Sequence, residues 1–224
     1  MGEEPHPLAI ISEILIMKLY GDALAQELAS LVTLRLATLA ALKAFPANDR
    51  VDGMVATLNS DNSRWKYLLS NSTTADDILV VQPTDTVGRW VRADKFVDIT
   101  AAVTKDTADA AVLYTVPTGF RLLLGVPFHV VTTSWTGGSS SAIGCSSSNA
   151  GLSTKGDLLG GSGGDVAAGL LSTGAYAKGT VGAKIGKPGA VLVAGDTILF
   201  DRITSAFTAG VGVIHVPVNI LLAP

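Results

Sequence analysis

Residues 122–154 contain no Asp, Glu, Lys or Arg. A free monomeric sandwich ordinarily covers its outer faces with charge. Some of the apolar faces in so long a neutral stretch should therefore be buried between chains. From Phe120 every even position is apolar: Phe120, Leu122, Leu124, Val126, Phe128 and Val130. The opposite positions hold Arg121, Leu123, Gly125, Pro127 and His129. A period of two is that of a β-strand, whose side chains point to alternate faces. The same period returns at Ile214, Val216, Val218, Ile220 and Leu222.

Further strand candidates are 96–103, 111–116, 141–147, 166–173, 190–194 and 197–203, separated by Gly- and Ser-rich turns. About eight short strands at such spacing predict an antiparallel sandwich. The expected fold is mainly β: a jelly-roll-like antiparallel β-sandwich over 96–224, with a small β module and an N-terminal helical segment before it.

Charge and glycine divide the chain into three zones, and such shifts mark structural units. Residues 1–45 carry 8 charges and two glycines, 46–95 carry 13 charges and two glycines, and 96–224 hold 14 charges and twenty glycines. In 1–45, Leu24, Leu28, Leu31, Leu34, Leu39 and Leu42 recur mostly three or four apart, which predicts a helix over about 22–44. Gly21-Asp22 offers its start and Pro46 its end. A separate short helix is expected over 8–19. Val32, Leu36 and Ala40 widen the apolar stripe, as in a buried helix. The helix is then either a core element or an oligomerisation anchor. In the second case Leu24, Leu28, Leu31, Leu39 and Leu42 form the interface.

The module at 46–95 reads as strands over 50–58 and 64–68, an apolar run at 78–81 and a last strand over 88–92. Turns at Asn59–Ser63 and Gln82-Pro83 separate them. Trp65, Tyr67 and Trp90 suit its core, since a small β unit needs large side chains. The alternative is a sugar-binding role, with Trp65 and Trp135 exposed and stacking on a glycan.

Several function classes are excluded. Lys and Arg number 16 against 19 Asp and Glu, so the basic excess of a nucleic-acid binder is missing and no direct nucleic-acid contact is expected. Hydrophobic residues make up 48% of the chain, which argues against disorder. The single cysteine, Cys145, permits neither an intrachain disulfide nor a cysteine-cluster zinc site. It is expected as a small side chain in a loop or edge strand. The acidic start, Met1 to His6, lacks the basic region of a signal peptide. The apolar stretch 8–45 is interrupted by Glu13, Lys18, Asp22, Glu27, Arg35 and Lys43, and no membrane span is expected.

No motif specifies a reaction. Gly160-Gly161-Ser162-Gly163-Gly164 matches G-x-S-x-G, and Asp196 or Asp201 and then His215 follow in hydrolase order. That motif works only at a strained strand-to-helix elbow, and no βαβ pattern surrounds Ser162. The loop Gly182–Lys187 lacks phosphate-loop spacing. His6, His129 and His215 are far apart. The last two are expected on the less apolar faces of strands, as surface or interface residues and not metal ligands. Asp76-Asp77 reads as a solvated turn. No calcium-loop spacing surrounds Asp76, Asp77 or Asp157. No catalytic residue, cofactor or metal is expected.

Three features coincide: an apolar N-terminus; a module containing Arg50-Val51-Asp52-Gly53 and ending in Gly88-Arg89-Trp90; and a glycine-rich β domain containing Tyr114-Thr115-Val116-Pro117-Thr118-Gly119-Phe120. In this the chain resembles virion structural proteins of tailed bacteriophages, in particular head decoration (cement) and fibre proteins. The resemblance implies a capsid-surface component of the virion, often a homotrimer. Its partners would be copies of itself and the major capsid protein or other virion proteins. It implies no catalytic residues. A fibre or spike that binds a host-surface glycan is the alternative.

Overall fold

The computed structural model describes residues 34–136, 142–159, 166–167, 176–177, 190–202 and 207–222. The protein is mainly β with antiparallel sheets, and the chain divides into two units, Met1–Ala93 and Asp94–Pro224.

The first unit is a five-stranded sheet in the order β1-β2-β3-β5-β4. Its strands are β1 (Leu34–Leu36), β2 (Val55–Leu58), β3 (Arg64–Leu68), β4 (Val80–Val81) and β5 (Arg89–Arg92). The helix expected over 22–44 is not formed in its described part. Leu34–Leu36 is a strand paired in parallel with β2, and α1 covers only Leu39–Lys43. Leu34 and Leu36 also satisfy a period of two, and Thr38 ends the strand. Its backbone is extended (φ −147°) and its Oγ1 accepts a hydrogen bond from Ala41 N, so it caps the helix.

Leu42 is fully buried among Leu58, Trp65, Tyr67 and Trp90, and Leu39 packs against the same cluster. These two leucines therefore belong to a core and not to an interface; Leu24, Leu28 and Leu31 lie outside the described residues. The sequence-based boundary at 45/46 also gives way, because β1 and α1 build the same core as β2, β3 and β5. Trp90 lies 5.2 Å from Tyr67 and 6.3 Å from Phe45 between ring centroids. Trp65 Nε1 donates to Ser63 Oγ at 2.8 Å. Arg50 lies over the Tyr67 ring and pairs with Asp85. Gly88 has a positive φ of 65°, and a Cβ there would press on the Tyr67 hydroxyl, which donates to Val87 O.

The second unit contains two antiparallel sheets. One runs β11-β10-β14-β7, from β7 (Val112–Thr115), β10 (Ala142–Ser147), β11 (Val166–Ala167) and β14 (Thr197–Arg202). The other is six-stranded and centred on β15 (Ala209–Leu222). β6 (Phe96–Thr104) pairs along one edge of β15. Along the other edge lie β9 (Phe128–Thr136) and then β8 (Arg121–Leu124). β12 (Tyr176–Ala177) pairs with β9, and β13 (Val191–Val193) pairs with β8.

β8 and β9 are one line broken at residues 125–127. His215 faces Phe128 and Val218 faces Leu124, so residues 216–217 oppose three residues of the broken line. That extra residue is a bulge. Pro217 occupies the gap. Its carbonyl accepts from Gly125 N at 2.7 Å, so its missing N–H faces the same break and no ladder bond is lost. The bulge corrects the alternation read from the sequence. Leu122 and Leu124 are buried on even positions, but beyond the break the buried residues are His129, Val131 and Trp135.

Truncating Leu42 to Ala should destabilise the first unit by about 2–5 kcal/mol in chemical denaturation followed by tryptophan fluorescence. The oligomeric mass should not change. A lower mass without loss of stability would return Leu42 to an interface.

Candidate functional site

β15 exposes its odd positions on the outer face of the six-stranded sheet while Ile214, Val216 and Val218 are buried beneath. The ladders arrange these outward residues in rows. Phe96, Asn219, Leu123 and Val191 form one row across four strands. Asp98 and Pro217 form the next, and Thr100, His215 and Phe128 the one after. Ala102, Val213 and Val130 follow, and Thr104 pairs with Val211. Phe96 is 72% exposed, Val193 42% and Val211 38%. In these rows, among the described residues, the only Asp, Glu, Lys or Arg is Asp98; Arg121 lies beyond them, beside Val193. Most antiparallel sheets with an open face make it polar; here the polar side chains, Thr100, Thr104, His215 and Asn219, are mostly uncharged.

Asp98 Oδ2 lies 2.6 Å from His215 Nδ1, and the His215 ring stacks on Phe128 at 4.5 Å with 6° between planes. The carboxylate therefore has its partner within the chain. Beside it, at the bulge, Phe96, Asp98, Gly125, Pro217 and Asn219 enclose a pocket of about 360 Å³.

The inner side of the same sheet holds His129, fully buried, where the sequence pattern places it on the less apolar face. The parity change at the bulge turns it inward. Neither ring nitrogen has a hydrogen-bond partner. Trp135 packs edge-on against His129 at 5.7 Å and against Phe207 at 4.8 Å. Gly210 and Gly212 of β15 leave the room: a Cβ at Gly210 would overlap the Trp135 ring, and one at Gly212 the His129 ring. Burial, and secondarily the charge of His215, push the His129 pKa down from 6.5 to about 4. Trp135 is 3% exposed and Trp65 1%. Neither indole presents a face to a sugar, which overturns the expected glycan-stacking role of both.

The other candidate residues resolve into structural positions. Cys145 is fully buried on β10, between β11 and β14, and so lies neither in a loop nor at an edge. Burial pushes its thiol pKa up, which keeps it an unreactive thiol. Asp201 is buried too. It accepts from Ser146 Oγ at 2.9 Å and Gly156 N at 2.8 Å, and its burial raises its pKa. Asp196 accepts from Val193 N and Asn149 Nδ2 within a turn. His215 is paired with Asp98, so no triad forms from His215 with Asp196 or Asp201. Ser162 and the 182–187 loop lie outside the described residues. Asp76 Oδ1 accepts from the backbone N–H groups of Ile78, Leu79 and Val80, which makes it the organiser of its turn.

Among the described residues, no group of three or more His, Cys, Asp or Glu is placed to hold a metal ion. No described helix is long and apolar enough to cross a membrane. Sequence reasoning missed the Asp98–His215 pair, whose members are 117 positions apart. It also missed the inward role of Gly210 and Gly212. Their parity matches Ile214 and Val216, so small residues on the inward face were the available signal.

Between pH 6.5 and about 4 the unfolded chain carries a proton at His129 and the folded chain does not. The stability this provides is therefore full above pH 6.5 and declines as pH falls towards about 4, by up to about 3 kcal/mol. Urea midpoints measured from pH 7 to 4 should show this decline in the wild type and less of it in His129→Leu. Parallel curves for the two proteins would contradict a buried neutral imidazole. No protein-family model, curated protein or solved structure matches this chain.

Proposed function

We propose that this chain is a structural virion protein of a bacteriophage, a capsid decoration (cement) protein that binds across capsomers as an oligomer. The observation that carries this reading is the charge-poor outer face of the six-stranded sheet, with Phe96, Val193 and Val211 open to solvent. Large apolar side chains exposed on a charge-poor face point to association, and obligate interfaces resemble a core cut in half.

The strand order supports the same reading. In chain order the strands alternate between the two sheets: β6, then β7, then β8 and β9, then β10 and β11, then β12 and β13, then β14, then β15. We infer from this exchange that the second unit is a jelly roll, an architecture of viral capsid and lectin domains. The fibre alternative is the weaker of the two, because its proposed sugar platforms, Trp65 and Trp135, are buried.

The work of such a protein is mechanical. Each copy adds buried area across a capsomer seam, where apolar burial contributes about 25 cal/mol per Å². Association costs offset part of that gain. Its partners are copies of itself and the major capsid protein, at the capsid surface.

Light scattering of the isolated protein should give the mass of an oligomer and not that of a single chain. Virions lacking the protein should release their DNA at a lower temperature than complete virions. Equal thermal resistance of the two would contradict the cement role.

A further inference from the structure

We infer that the outer face of the six-stranded sheet is the surface through which copies of this chain associate, with Phe96 of one copy entering the pocket beside Asp98 and Pro217 of another. The inference rests on the assembly reading above and names its surface. Three observations carry it.

The first is size. The face is four strand columns wide, from β6 through β15 and the β8–β9 line to β12 and β13. At about 4.8 Å per column and about 3.4 Å per residue, its strands offer about 670 Å². A specific interface of standard size buries about 800 Å² on each partner.

The second is charge. An identical copy brings identical charges, so a face with unpaired charge at its centre would repel itself. Here the one carboxylate of the rows, Asp98, lies on the edge strand β6 and is hydrogen-bonded to His215 of the same chain. Arg121 lies at the edge of the face, beside Val193. A partner of strongly charged chemistry would find little on this face to match it. A second copy finds the same charge-poor rows, with a single carboxylate at their edge.

The third is shape. Phe96 is the most exposed large apolar side chain described, at 72%, and it forms one wall of an open pocket of about 360 Å³. Interfaces draw most of their energy from a few aromatic anchors seated in pockets. A face that carries both the anchor and the pocket is complementary to its own copy. Gly125, at the bulge, forms part of the pocket wall.

The test is the mass of the full chain in solution, measured by light scattering and sedimentation, for wild type, Phe96→Asp, Val193→Asp and Val112→Asp. Val112 is 59% exposed and belongs to β7, at the edge of the four-stranded sheet. The wild type and Val112→Asp should share one oligomeric mass. Phe96→Asp and Val193→Asp, with unchanged circular dichroism, should associate at least tenfold more weakly, a loss of about 1.4 kcal/mol or more. Val193→Asp alone decides the question if Phe96→Asp fails to fold. An oligomeric wild type whose Phe96→Asp and Val193→Asp variants keep its mass overturns this surface and leaves the assembly reading standing. Dissociation by Val112→Asp alone moves the contact to the other sheet. A single-chain wild type overturns both the surface and the assembly reading.

Discussion

Two residues of β15 set against three in the β8–β9 line decide which side chains of the second unit meet solvent. Upstream of Gly125 the inward residues are Leu122 and Leu124; downstream they are His129, Val131 and Trp135. An uninterrupted strand would have buried Val130 and turned His129 outward. The bulge reverses that, and the consequences spread across β15. Gly210 and Gly212 must be small to admit Trp135 and His129. Pro217 is tolerated within the strand because the opposing backbone is broken there. Phe128 comes to the outer face and stacks on His215, whose Nδ1 meets Asp98.

The same register accounts for the two unlike faces of the sheet. Inside, aromatic and aliphatic side chains close over an imidazole with no hydrogen-bond partner. A neutral imidazole is tolerated there, whereas a charged one would lack any compensating partner. Outside, the rows mix apolar side chains with uncharged polar ones, and their one carboxylate is hydrogen-bonded within the chain. Water faces this side across Phe96, Val193 and Val211. A face this poor in charge is suited to coverage by neighbouring copies.

Much of the β architecture was legible because period-two patterning is local. The strands at 64–68, 96–104, 112–115 and 197–202 follow it closely. The helical reading failed at Leu34–Leu36 because leucines at mixed spacing satisfy both periods over a few residues. Pairing with β2, a tertiary contact, settled the matter in favour of a strand at Leu34–Leu36. The bulge was not legible as a reversal of parity. Gly125-Val126-Pro127 announces a break, but the register across it is set by residues 216–217, some ninety positions away. The misplacement of His129 follows from that one unseen residue. Cys145 was misread for a related reason. Its neighbours are serines and glycine, typical of a loop, yet both flanking strands come from distant segments.

The central claim is that the charge-poor face of the six-stranded sheet is covered in the assembled state. A three-dimensional map of the native particle tests it most directly. The account predicts oligomers lying over capsomer junctions, each copy turning the Phe96–Val193 face towards a neighbour. Chains that project singly from the shell, with that face bare to solvent, would contradict it.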